Sequence, residues 1–258
     1  MADQPNFIIV PESHPETDGS PGGTSVAFFD RLRGMLLAVA PALARPGQQA
    51  SAGTAVPDRP RLIFGFDATA SREPAWATAR QMTDALVRAL PGELDVALAV
   101  HGGSVLHTFT GFTADPATLR DRAAAIACRA GSTQLLPILA RSLAVPGVRV
   151  VTYIGDVYEE SPGRGRKLAD DMGRRGIRLI VLHDVADWNA RRDAELFFDL
   201  ASRTGGCVLP FDAQSPGRLR DLLAAIAVFA VGGARLLHER RRDLPGAVVL
   251  LQHLEPRA

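Results

Sequence analysis

From residue 61 onward, short apolar runs of strand length alternate with segments of helical periodicity, and this alternation constrains the fold more than any other feature of the chain. Residues 62–66, 94–100, 148–154, 177–182 and 207–210 read as strands, with the β-branched run 148–154 as the most central. Strands that are apolar throughout, without inside-outside alternation, are those covered on both faces. Helical patterns fall between them, at 75–90, 116–127, 134–143, 163–175, 190–204 and 216–231. The first places Trp76, Ala79, Met82, Leu86 and Leu90 on one face and is stopped by Pro91-Gly92. His101-Gly102-Gly103 reads as a tight turn into a further strand, 104–109, so one strand pair is a hairpin. The expected class is therefore α/β: a doubly wound, mostly parallel sheet with helices on both faces and one antiparallel edge strand.

The flanking segments have a different character. Residues 1–59 read as an arm, with Pro/Gly-rich stretches at 11–23 and 46–60 around one amphipathic helix at 25–43. Phe28, Leu32, Met35, Leu36, Val39 and Leu43 form its apolar stripe, to be docked on the domain or offered to a partner. The domain proper is placed at 60–230. Residues 231–258 form an extension with a short helix at 234–241 and an apolar segment at 248–251, to be packed on the domain or used between copies.

Composition removes several classes of function. The 29 basic and 28 acidic residues leave a net charge of +1, so no overall field draws the chain to nucleic acid or an anionic membrane. Two cysteines, Cys128 and Cys207, are too few for a disulfide framework or a cysteine zinc cluster. The start lacks a basic signal region, and the most apolar stretch, 222–234, falls short of the ~20 residues of a membrane span. The expected location is cytoplasmic, with no membrane partner.

In a doubly wound sheet, ligands sit beyond the carboxyl ends of the strands. The first strand is followed by Asp67-Ala68-Thr69-Ala70-Ser71, with oxygen-bearing side chains at alternate positions. Gly131-Ser132-Thr133 precedes a helix, and Gly155-Asp156 follows the strand 148–154. Two carboxylates and three hydroxyls are thus placed to converge at one sheet edge. An all-oxygen set suits a hard divalent cation such as Mg²⁺. The competing explanation is local: Asp, Ser and Thr are favoured helix N-caps, and Asp156 also suits a turn.

Asp67-x-Thr69-x-Ser71, then Thr133, then Asp156 resembles the metal-ion-dependent adhesion site (MIDAS) of von Willebrand factor type A (VWA) domains. The family's usual first element is Asp-x-Ser-x-Ser, and Thr69 keeps the hydroxyl of the middle serine. Thr133 matches the family's threonine, with Ser132 taking its place if the loop register differs. The resemblance covers about residues 60–230 and implies a Rossmann-like VWA fold that binds rather than catalyses. It implies Mg²⁺, Mn²⁺ or Ca²⁺ held by Asp67, Thr69, Ser71, Thr133 and Asp156, with a protein partner supplying an Asp or Glu. Bacterial intracellular members of the family work beside AAA+ ATPases or in multi-protein complexes. A type A domain without metal, acting as a scaffold, is the alternative.

Other candidates are weaker. A Mg²⁺-dependent phosphatase or phosphotransferase could use Asp67 as nucleophile, but the haloacid-dehalogenase pattern Asp-x-Asp-x-Thr needs an Asp at position 69. Lys167 and Asp170-Asp171 resemble that family's later motifs, yet fall within one helical segment. Glu159 and Glu160 read as the acidic first turn of the helix that follows, ahead of a place on the site's rim. Asp184 and Asp187 follow the strand 177–182 and could also lie near that rim. The segment Gly163-Arg164-Gly165-Arg166-Lys167 lacks the Walker spacing and reads as a solvated helix start. His101, His107 and His183 have no partner at metal-ligand spacing, and no nucleophile elbow surrounds Ser71.

Overall fold

The computed structural model describes residues 58–102, 105–184, 190–211 and 214–254. The expected amphipathic helix at 25–43 and Asp187 lie outside the described residues. The strands are β1 (Arg61–Asp67), β2 (Asp95–Gly102), β3 (Val105–Phe109), β4 (Val148–Gly155), β5 (Arg178–Asp184) and β6 (Cys207–Phe211). They form one sheet in the order β3-β2-β1-β4-β5-β6. Every pair is parallel except β2 with β3, the expected antiparallel edge. His101 and Gly102 belong to β2 itself, where the register with β3 shifts between Val100 and His101.

The helices are α1 (Glu73–Met82), α2 (Ala85–Arg88), α3 (Pro116–Ala124), α4 (Leu135–Ala144), α5 (Pro162–Arg174), α6 (Ala190–Arg203), α7 (Pro216–Arg240) and α8 (Pro245–Leu254). The apolar strands divide their side chains between two cores. Leu62, Phe64 and Phe66 of β1 join residues of α1, α2, α3, α7 and α8 on one face. Ile63, with Val151 and Tyr153 of β4, joins residues of α4, α5 and α6 on the other. Burial on both faces is the physical origin of the unbroken apolar runs. Trp76 anchors the first core: its ring centroid lies 4.4 Å from that of Phe66, and its indole N–H donates to the Ile126 carbonyl at 3.2 Å.

Three expected helices take a different form. The segment 75–90 divides into α1 and α2, because the Thr83 hydroxyl donates back to the Arg80 carbonyl and the next turn closes with i→i+3 bonds from Leu86 and Val87. The helices expected at 216–231 and 234–241 run together as α7, with only Gly233, at φ 65°, off helical backbone. By length and composition α7 is apolar enough to cross a membrane. In this structure its Leu219, Leu223, Ile226, Ala227 and Ala230 are buried in the first core. The apolar segment 248–251 lies in α8, whose Ala247, Leu250 and Leu251 pack into the same core.

The seat of α8 depends on a glycine. A Cβ on Gly246 would stand 2.1 Å from the Asp221 carbonyl oxygen of α7, whereas one on Gly217 would meet nothing within 4 Å. Gly246→Ala is expected to cost about 1–3 kcal/mol, as overpacking does. That lowers the melting temperature by about 3–10 °C for a domain of this size. Gly217→Ala should leave it unchanged or slightly raised, by helix propensity. Equal melting temperatures for the two variants in a calorimetric scan would contradict the packing described.

Candidate metal centre

The strand order fixes where the candidate residues meet. The chain runs outward from β1 through β2 to β3, then returns to place β4 on the other side of β1. This reversal opens a crevice between the carboxyl ends of β1 and β4. Asp67 is the last residue of β1, and Asp156 directly follows β4. Thr133 lies on the returning segment, two residues before α4.

Asp67, Thr69 and Thr133 are buried there, while Ser71 is exposed. The Thr69 backbone N–H donates to Asp67 Oδ1 at 2.9 Å, and the Thr133 hydroxyl donates to Asp67 Oδ2 at 3.3 Å. The hydroxyls of Thr69 and Ser71 lie 3.4 Å apart. Only the first part of this loop is extended. Thr69 has φ −69° and ψ 157°, but Ser71 sits in a 3₁₀ turn, Ala70–Arg72. The two hydroxyls therefore meet through the turn and not through simple alternation.

Helix capping does not account for these residues. The 3₁₀ turn preceded by Thr69, α1 and α4 all have N-caps without a side-chain hydrogen bond. Asp156 does have a local role, since its Oδ1 accepts the Val157 N–H at 2.8 Å. Ligands about 2.1 Å from an Mg²⁺ ion are ~3 Å apart along an octahedral edge. The oxygen pairs Asp67/Thr133 and Thr69/Ser71 are close to that spacing, and all donors are hard oxygens, so the set fits a divalent cation. Among the described residues no group of three or more His, Cys, Asp or Glu side chains is arranged to hold a metal. A site built on hydroxyls lies outside that pattern.

Electrostatics sharpen the picture. Burial holds Asp67 above the ordinary aspartate range, against the lowering pull of the Thr69 amide and hydroxyl, Arg72 and the Thr133 hydroxyl. Burial also raises Asp156, against the pull of Arg72 and with a further push from the Asp67 charge. Both carboxyls are therefore easier to protonate than an exposed aspartate.

Several residues at the site have no signature in the sequence. Arg72, directly after Ser71, is buried, with its guanidinium 3.3 Å from Asp156 Oδ2 and 2.9 Å from Asp184 Oδ2. His101 is the register partner of Asp67 on β2. Its Nδ1 accepts the Gln134 N–H at 3.3 Å, which puts the ring proton on Nε2, facing the Tyr153 hydroxyl at 2.9 Å. Burial holds the Tyr153 phenol well above its ordinary range. His183 Nε2 donates to the Asp156 carbonyl at 2.9 Å. Strand register brings His101 and Asp67 together, and one sequence carries no signal for register.

Glu159 and Glu160 correct the sequence reading. They precede Ser161, the N-cap of α5, and reach across to the neighbouring helix. Glu159 accepts the Thr133 N–H at 2.7 Å and Glu160 the Leu136 N–H at 2.8 Å. Both carboxylates thus serve the electropositive start of α4. They tie the loop carrying Asp156 to the loop carrying Thr133.

The remaining candidates lie elsewhere or serve the fold. Lys167 is exposed on α5, and Asp170 and Asp171 on the same helix pair with Arg203 and Arg174. The segment 163–167 is the exposed start of α5 except for Gly165, which faces the Tyr158 hydroxyl. Cys207 is a buried core residue whose thiol burial pushes up to about 12.

No family model matches the chain, and no curated protein matches it. Solved structures do. A von Willebrand factor type A protein from Catenulispora acidiphila matches with a TM-score of 0.55 at 15% identity, over 67% of this chain and 43% of that one. Proximal thread matrix protein 1 from the mussel byssus, in a structure with a zinc-occupied MIDAS motif, matches at 0.52 and 13%, over 66% and 46%. The pilus adhesin SpaC from Lactobacillus rhamnosus GG matches at 0.52 and 10%, over 67% and 30%. The chain thus spans less than half the length of each of these three. At these identities the likeness establishes the fold, a VWA-like α/β sheet.

The tie between the two loops has a pH signature. Burial raises the Glu160 carboxyl above the ordinary glutamate range, more than the Leu136 and Leu135 amides lower it. A carboxyl raised on folding adds stability at low pH and loses it as pH rises through the folded value. Glu160→Gln keeps an oxygen for the Leu136 amide and removes the titration. Its melting temperature should fall less than that of the wild type as pH rises from the ordinary glutamate range to just above it. Parallel profiles over that range would contradict the assignment.

Proposed function

We propose that this chain is a divalent-cation-dependent protein-interaction module. Asp67, Thr69, Ser71, Thr133 and Asp156 hold one Mg²⁺, with Mn²⁺ or Ca²⁺ as substitutes, and a partner protein completes the site with an Asp or Glu. The observation that carries this reading is the meeting of Asp67, Thr69, Ser71 and Thr133 beyond β1, through contacts that helix capping does not require.

The residues divide the work by charge. The hydroxyls of Thr69, Ser71 and Thr133 bind without neutralising the ion. Asp67 and Asp156 orient its water shell, as suits an ion that gives up water reluctantly. The ion supplies the positive charge to which the partner's carboxylate attaches. The Glu159/Glu160 tie keeps the Thr133 loop in place. In this reading the chain binds and does not catalyse. The zinc-occupied MIDAS motif of the byssus protein supports it by analogy of fold. The sequence resemblance extends it to a bacterial cytoplasmic setting, with an AAA+ ATPase or a subunit of a multi-protein complex as partner.

One observation favours a second reading. Asp156 already faces the Arg72 guanidinium, and a domain whose cation is a side chain would be a metal-free scaffold.

Calorimetric titration with Mg²⁺ and Mn²⁺ separates the readings. The wild type is expected to bind one ion, and Asp67→Ala to weaken binding by about a hundredfold. Asp67→Asn should do the same while retaining an acceptor for the Thr69 amide. Both variants should melt cooperatively near the wild type. A large loss of melting temperature without loss of metal affinity would make Asp67 a structural residue and reject the proposal.

A further inference from the structure

We infer that Arg72 sets the metal affinity of this site, by occupying Asp156 and by placing a fixed positive charge beside the ion's position. The inference rests on the metal-site reading above and goes beyond it, since Arg72 is no part of the ligand set. Three observations carry it.

The first is placement. Arg72 is covalently next to Ser71 on the same 3₁₀ turn, and only 6% exposed. Its charge is felt at both Asp67 and Asp156. A divalent ion held by Asp67 and Asp156 would sit beside carboxylates that already feel this guanidinium, and like charges repel more strongly as water is excluded.

The second is the unequal grip on the two carboxylates. Nη1 donates a hydrogen bond to Asp156 Oδ2 at 3.3 Å, while Nη2 lies 2.9 Å from Asp184 Oδ2 in an ion pair without hydrogen-bond geometry. Asp184 closes β5 and anchors the guanidinium from the strand side. Asp156 follows β4 in a loop, and its carboxylate is the one that the guanidinium hydrogen-bonds. An ion that recruits Asp156 must break the hydrogen bond that Arg72 makes to it.

The third is incomplete satisfaction. Arg72 Nε and Nη2 are both buried with no hydrogen-bond acceptor among the described residues. A guanidinium installed only for stability would be expected to use its full fork of donors. The geometry describes a cation held near the site at less than its best pairing. Metal binding then takes Asp156 from Arg72 and works against the Arg72 charge, and both effects lower affinity.

The test is Mn²⁺ titration calorimetry on the full chain, comparing wild type with Arg72→Gln. Thermal melting in EDTA establishes that each is folded. Arg72→Gln is expected to bind Mn²⁺ about tenfold more tightly or better, from removal of one nearby positive charge. Its melting temperature should also rise more on adding Mn²⁺. Because a lone Arg72→Gln leaves two buried carboxylates without their cation and can fail to fold, the double variant Arg72→Gln/Asp184→Asn is measured beside it. That variant removes the guanidinium with its anchor and frees Asp156, and it too should bind more tightly than wild type. Equal or weaker binding by a folded variant, with binding by the wild type, overturns the inference and leaves the proposed function standing. Binding by the variants alone supports the inference and assigns the wild type to the metal-free scaffold reading. No binding by any of the proteins overturns both.

Discussion

The structure depends on β1 being paired on both edges and covered on both faces. Its parallel partners are β2 and β4, and Leu62, Phe64 and Phe66 fill one core while Ile63 enters the other. A strand placed this way has no freedom of register, because a slip of one residue would exchange its two faces. That rigidity is passed to Asp67, the last residue of the strand. The side chains that meet Asp67 come from elements that pair with β1 or cross it: His101 from β2, Thr133 from the segment ahead of α4. The site is a consequence of the sheet order before it is a consequence of any loop.

Beneath the oxygen cluster lies a polar layer that is almost fully committed. Neutral His101 joins the Gln134 amide to the Tyr153 hydroxyl across the strand ends. His183 steadies the Asp156 carbonyl, and Asp193 accepts the Tyr158 N–H. Glu159 and Glu160 satisfy amides at the start of α4. Backbone groups buried near a sheet edge need partners, and here side chains from neighbouring loops supply them. The loops bearing Thr133 and Asp156 are therefore linked mechanically without any ion. A displacement of one is transmitted to the other through two carboxylate–amide contacts.

Much of this was legible in the sequence. The doubly wound sheet, its antiparallel edge, the placement of Asp67 and Asp156 at strand ends and that of Thr133 ahead of a helix follow from apolar periodicity and from the rule that connects strand ends to sites. The break at Gly233 was also visible, as a gap between two helical patterns. What escaped depends on long-range geometry. The division of 75–90 at Thr83 turns on one hydroxyl bonding back to Arg80, which periodicity does not register. Arg72 carries no signal in the sequence, and its role emerges only when β5 places Asp184 beside it. Glu159 and Glu160 read as the dipole partners of their own helix, and only the packing of α5 against α4 shows that they serve the neighbour's amides.

Among the carboxylates gathered here, the assignments are unequal in a way that bears on function. Glu159 and Glu160 are committed to amides, and Asp184 to Arg72. Asp156 is shared between Arg72 and its own loop. Asp67 is the most buried of the set, and its hydrogen-bond donors, the Thr69 amide and the Thr133 hydroxyl, are both neutral. Desolvating a carboxylate without an opposite charge in contact costs folding free energy, which is why burial raises the Asp67 carboxyl above its ordinary range. Two neutral hydroxyls stand close to the same spot. Apolar side chains would pack such a position at lower cost. A buried carboxylate surrounded by hydroxyls is a poor way to stabilise a sheet and a good way to receive a cation, and the proposed ion would offset the cost that the fold leaves uncompensated.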